Sequence, residues 1–189
     1  MALTIAELHR KVLALVGVSY NHPKTANKGA TGLLLETITG IPHSSNALDC
    51  VDGELKTCPV RKNKKGHFTS KESIAITMMS KDALMANEFE TSKCFKKMES
   101  MLIVPYLREG DSIQYLTPTR LSATTHPSLY QQFKNDYTAI RNHYIHYNIL
   151  MSMIGHYLQT RTKGTGHGST SRAFYLRQKF IRDHILISL

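Results

Sequence analysis

Acidic residues are scarce in this 189-residue chain: 14 Asp and Glu stand against 24 Lys and Arg, a formal charge of +10. Such a surface attracts polyanions, and nucleic acid is the economical partner. A ribosome-associated role, or a basic surface with no specific partner, would give the same balance. Cysteine is also rare. Cys50, Cys58 and Cys94 are odd in number and lack CxxC spacing, which argues against a disulfide framework or a structural zinc site and for reduced thiols in a cytoplasmic protein. Long apolar runs are missing, the longest being stretches such as Met101 to Val104, and Glu7, His9, Arg10 and Lys11 break any signal-like N-terminus. No membrane span is expected, since one needs about 18 or more apolar residues. Nucleotide fingerprints are missing too: there is no GxxxxGK[ST], and no GxGxxG between a strand and a crossover helix. The length suits one domain over 1–189 with a real buried core.

What is present begins with Thr4-Ile5-Ala6-Glu7, a capping box, after which Ile5, Leu8, Val12 and Val16 recur at helical spacing. Leu33 to Ile38 reads as a second helix closed by Gly40, with Glu36 either at the edge of the core or serving as a ligand. Short extended runs follow at Glu54–Val60, Ser73–Met79, Met101–Tyr106 and Ile113–Leu116, and they read as one mixed sheet. The basic stretch Arg61 to Gly66 joins the first two as a hairpin tip, either a solvated turn or a phosphate contact. From Pro127, apolar and aromatic residues repeat in 3, 4 spacing through Tyr130, Phe133, Tyr137, Ile140, Tyr144, Tyr147 and Met151. That is one long helix laid against a sheet, with His143 and His146 on its surface.

The chemistry concentrates in Asp49-Cys50-Val51-Asp52-Gly53-Glu54-Leu55-Lys56. In a strand, alternate side chains share a face, so Glu54 and Lys56 point one way and Leu55 points into the core. A turn at Asp52-Gly53 would return an acid beside Glu54. Two carboxylates are what Mg²⁺ usually takes from protein, with water and phosphate completing its shell. Asp49 is the preferred first acid and Asp52 the competing one, because Asp52 sits within the turn. Further on, the stretch from Gly155 to Arg182 carries Arg161, Lys163, Arg172, Arg177, Lys179 and Arg182 with no acid at all. Gly164, Gly166 and Gly168 lie inside it, where backbone amides approach phosphates closely.

Several blocks, in one order, resemble the MutH family, which comprises a mismatch-repair nicking endonuclease and related type II restriction endonucleases recognising GATC. They are Lys28-Gly29-x-x-Gly32-x-Leu34-Leu35-Glu36, Gly53 to Val60, Phe89-Glu90-Thr91-Ser92, Tyr157-Leu158-Gln159 and Arg172 to Leu176, spanning about residues 28 to 185. The resemblance implies an α/β restriction-endonuclease-like PD-(D/E)xK core, with a mixed central sheet flanked by helices. It also implies Mg²⁺-dependent hydrolysis of double-stranded DNA by a monomer or homodimer. The implied catalytic set is Asp49, Glu54, Lys56, Glu36 and Lys97, with Asp49, Glu54 and Glu36 as metal ligands. The implied DNA contacts are Lys28, Gly29, Arg161, Lys163, Arg172 and Tyr175, and the recognition segment is about 155–182. Tyr175 matches a tyrosine that senses adenine methylation in the repair enzyme. The chain departs from the family in the closer spacing of Asp49 to Glu54 and in a short recognition segment. Within the family these departures favour a stand-alone restriction endonuclease, with a cognate DNA methyltransferase as genetic partner. A methylation-sensing repair nickase is the alternative, and a DNA-binding module without catalysis is the contrasting class.

Overall fold

The computed structural model describes residues 3–25, 27, 29–42, 47–164 and 170–189. In chain order the elements are α1 (Ile5–Leu13), β1 (Ser19–Asn21), α2 (Ala30–Thr39), β2 (Glu54–Lys62), β3 (Phe68–Ser70), β4 (Ile74–Met79) and α3 (Lys81–Ala86). A 3-10 turn, Phe89–Thr91, leads into α4 (Lys93–Met98), β5 (Ser100–Glu109), β6 (Ser112–Tyr115), β7 (Thr119–Ser122) and α5 (Pro127–Tyr147). The chain closes with β8 (Leu158–Thr162), β9 (Arg172–Leu176), α6 (Gln178–Phe180), a π turn at Ile181–Ile185 and a 3-10 turn at Leu186–Ser188.

This is the expected α/β architecture with a mixed central sheet. That sheet runs β1-β6-β5-β2-β3, with β7 also on β5. β2 and β5 are parallel, with Glu54 opposite Met101 and Lys56 opposite Ile103, and their neighbours are antiparallel. The expectation of a single sheet is corrected. The run Ser73–Met79 does form a strand, but it pairs with β9 in a separate three-stranded sheet, β4-β9-β8. The basic hairpin returns instead through β3, with Val60 opposite Ser70. Alternating side chains specify which face a strand buries but not which strand lies beside it.

Two apolar layers flank the central sheet. On one side Leu55, Leu102 and Val104 pack with Ile5, Leu8, Val12 and Leu35, which brings α1 and α2 onto that face. On the other, Cys58, Met101 and Ile103 join Cys94 and Met98 of α4, the α5 seam, and Phe174 and Leu176 of the second sheet. The capping box at α1 is formed, with Glu7 N donating to Thr4 Oγ1 at 3.2 Å and Thr4 N to Glu7 Oε2 at 2.8 Å. The helix stops at Leu13, so Val16 lies beyond it.

The α5 seam is also shorter than its spacing suggests. Tyr130 to Tyr144 are buried, but Tyr147 is exposed and Met151 falls outside the helix. Asn148 takes a left-handed φ of 54° and donates its N–H to Tyr144 O. Asparagine tolerates that conformation, which ends a helix.

Candidate active site

The turn before β2 sets the geometry. Cys50 N donates to Gly53 O at 2.9 Å, closing a tight reversal. A Cβ on Gly53 would stand 2.5 Å from Ser100 O and 2.6 Å from Ile5 Cγ1, so only glycine lets the turn lie this close to β5 and α1. The two candidate acids then separate by function. Asp52 Oδ1 accepts the Ile5 N–H at 2.7 Å, fastening the turn to the first turn of α1. Asp49 Oδ2 accepts the Leu55 N–H at 3.0 Å, which places its carboxylate on the peptide joining Glu54 to Leu55.

Glu54 is the buried acid of the site, its side chain 3% exposed. Lys56 Nζ lies 2.6 Å from its Oε1, and Lys97 Nζ lies 2.8 and 2.7 Å from Oε1 and Oε2. Both ammonium groups are mostly covered, with side chains 20% and 17% exposed. Burying charges is costly unless they are paired, and here one carboxylate balances two ammonium groups. The two ammonium groups suit an anion such as a phosphate.

Lys97 arrives from α4. Ser92 caps that helix by accepting the Phe95 N–H at 3.1 Å, and Phe89 is buried against Phe95 and Tyr137 at ring distances of 5.2 and 5.6 Å. The Phe89-Glu90-Thr91-Ser92 block thus shapes the entry to the helix that carries Lys97. The buried Tyr130 hydroxyl, pushed up in pKa by burial, donates to Met98 O and ties α4 to α5. Burial and then the neighbouring Asp49 and Asp52 push the Cys50 thiol up to about 12.

Glu36 is half-buried on α2, in the layer opposite α4. Among the described residues, no three His, Cys, Asp or Glu side chains gather into a metal-holding group, so Asp49, Glu54 and Glu36 are not drawn into one cluster. The donor set still fits Mg²⁺ in kind. Asp49 and Glu54 offer hard oxygens on adjoining backbone, and that ion takes one or two carboxylates with waters and substrate phosphate.

The expected DNA contacts fall in two places. Gly29 is the exposed residue before α2, and Lys28 lies outside the described residues. Arg161, Lys163, Arg172 and Tyr175 lie on the β8–β9 hairpin. Gln159 is opposite Tyr175, and the Arg161 guanidinium sits 6.0 Å from the Tyr175 ring centre. Strand alternation turns Arg161 and Tyr175 away from the buried Leu158, Phe174 and Leu176, while Arg172, half-buried, starts β9 on the other face. Lys163 N donates to Ser171 O at 2.9 Å, extending the pairing. Gly166 and Gly168 are outside the described residues.

Two positioning groups were not visible as such in the sequence. Arg108 donates to His22 O and to Thr31 Oγ1 at 3.2 Å, tying the approach to α2 onto β5. A lone arginine in an apolar strand was the available signal. The other is Asp136 on α5, whose partners are three backbone amides and the Gln132 side chain.

The description "DNA mismatch repair enzyme MutH" matches residues 42–143, more than half of the chain. The chain belongs to the MutH family. By family it is a DNA endonuclease, and the match spans the turn, β2, β5, α4 and most of α5. None of the curated proteins matches this sequence. Among solved structures, the restriction endonuclease MvaI–cognate DNA substrate complex is similar at a TM-score of 0.47 and 10% identity, over 97% of each chain. In the described residues no helix is long and apolar enough to cross a membrane.

Proposed function

We propose that this MutH-family chain is a Mg²⁺-dependent, site-specific endonuclease of the type II restriction class, hydrolysing phosphodiester bonds of duplex DNA at GATC-like sites. The observation that carries the reading is the buried Glu54 carboxylate beneath Lys56 and Lys97, two ammonium groups on one acid. The two ammonium groups favour a backbone phosphate at the cluster.

Asp49 and Glu54 would hold the ion, while Glu36 on α2 is not drawn into their cluster. When bound, Mg²⁺ supplies a Lewis acid for the phosphoryl oxygen and a more acidic bound water. The remaining work belongs to the chain. Lys56 orients the attacking water, and Lys97 offsets the negative charge that grows on the phosphoryl oxygens as the water oxygen bonds to phosphorus and the ester oxygen leaves. Losing one preorganised group of this kind costs on the order of 10² to 10³ in rate. Arg161, Lys163 and Tyr175 on the β8–β9 hairpin read or grip the DNA, with Arg172 behind them and Gly29, just before α2, on the DNA backbone; Lys28 is a further contact implied by the family resemblance. Base-edge contacts specify sequence, whereas phosphate contacts fix register.

The family's description as a mismatch repair enzyme supports a second reading, a methylation-sensing nickase. Incubating the protein and Mg²⁺ with unmethylated, hemimethylated and fully methylated plasmid separates the two. Linear product from unmethylated DNA alone is expected for restriction. Nicking that requires an added repair partner would replace it with the second reading.

A further inference from the structure

The stretch from Gly155 to Arg182 is basic and free of acids, yet its root is built around one carboxylate from another element. Asp136, on α5, is 3% exposed. Its Oδ1 accepts from Gln132 Nε2 at 2.8 Å and from His156 N at 2.7 Å, and its Oδ2 accepts from Tyr157 N at 2.7 Å and Leu158 N at 2.8 Å. Three successive amides converging on one carboxylate bend the chain sharply. Gly155 allows the bend with a φ of 88°, where a Cβ would run into the Leu158 carbonyl oxygen.

The second strand is knotted into the same place. Arg177 donates through Nη2 to Ser152 O at 2.6 Å and Ile154 O at 2.9 Å, and its N–H donates to Tyr157 O at 2.8 Å. β8 therefore starts on an amide held by Asp136, and β9 ends next to a guanidinium holding the same turn.

We infer that Asp136 is a positioning residue for target selection: by fixing the root of the β8–β9 hairpin, it sets where Arg161 and Tyr175 stand relative to the Glu54–Lys56–Lys97 cluster. The inference rests on the proposed DNA-reading role of this hairpin. A carboxylate offers about four acceptor sites, enough for all its donors, and charge-assisted bonds to it are short and strong. An asparagine in its place keeps one acceptor oxygen and turns an NH₂ group towards backbone N–H groups. The hairpin root then loosens while no group that touches phosphate is removed.

The test compares Asp136→Asn and Arg177→Lys with wild type, and with Phe133→Leu as a core change on the same helix. Hydrogen exchange reads the amides of Tyr157 and Leu158, and digestion of phage-sized DNA with Mg²⁺ followed by end sequencing reads the ratio of preferred to one-base-altered cutting. Expected for both clamp variants are faster exchange and a ratio lowered by about tenfold or more, the value of a good base contact, with a smaller loss in single-turnover rate on preferred sites. Phe133→Leu should lower Tm and leave the ratio alone. Arg177→Lys keeps the test decisive if Asp136→Asn does not fold. An unchanged ratio despite faster exchange, or an equal fall in Phe133→Leu, would overturn the positioning role. The parent reading fails in a different arm: wild type that cuts no DNA.

Discussion

Glu54 shares its two oxygens between two ammonium groups, so the three members of the cluster should respond differently to removal. Lys97→Ala leaves Glu54 paired with Lys56, and the fold should survive. Cleavage should fall by about 10² to 10³ with DNA affinity retained, as measured by single-turnover cutting and gel shift. Equal loss of both would show Lys97 to be a binding group only. Glu54→Ala instead strands two largely buried cations, and a stability loss of up to about 3 kcal/mol is expected in urea unfolding. The sequence made Glu54 and Lys56 legible because strand alternation fixes their shared face. Lys97, 43 residues away from Glu54, had no local pattern to place it, and its pairing came only with tertiary packing. Asp136 was illegible for another reason: apart from Gln132, its partners are backbone N–H groups, which any sequence supplies.

Elements carry the next set of consequences. Gly53→Ala drives a methyl group into the Ser100 carbonyl and Ile5, which forces apart the turn, β5 and α1. A loss of about 1–3 kcal/mol is expected from such overpacking, visible as a lower urea midpoint. At the C-terminal end, His184 meets Tyr157 edge-on and stacks on Phe180, at ring distances of 5.0 and 5.4 Å. Burial holds its pKa below the ordinary histidine value, with His126 adding to that and Asp183 opposing it. The unfolded chain then takes the proton first, so this stabilisation is present above about pH 6.5 and is lost as pH falls through the lower folded value. Tm should drop on acidification, and the drop should shrink in His184→Gln; an identical slope would remove His184 as its source. Strand Ser73–Met79 was legible as a strand, but its partner β9 begins at Arg172 and no periodicity links them. The helix seam likewise ran on to Met151 in the sequence, because spacing does not register the left-handed Asn148 that ends α5.

For the molecule as a whole, the +10 charge made a polyanionic partner legible, and the ordered blocks pointed to the family that the match over 42–143 establishes. The departures in acid spacing and recognition segment lean towards restriction over repair, and that choice turns on strand count per event and on partners rather than on the residues of one site. Neutralising the exposed hairpin tip, Arg61, Lys62, Lys64 and Lys65, should weaken duplex binding without changing which sites are cut. For every phosphate that the tip no longer neutralises, the dependence of log affinity on log salt should flatten by about 0.9, and an unchanged slope would make the tip a solvated turn. The decisive measurement is on supercoiled, unmethylated plasmid incubated with wild type and with Lys97→Ala, each with Mg²⁺ and with chelator. Mg²⁺-dependent nicked or linear DNA from wild type, with Lys97→Ala bound but nearly inert, is the expected result. Wild type that shifts the DNA yet leaves it supercoiled in Mg²⁺ would contradict a self-sufficient nuclease centre at Glu54, Lys56 and Lys97.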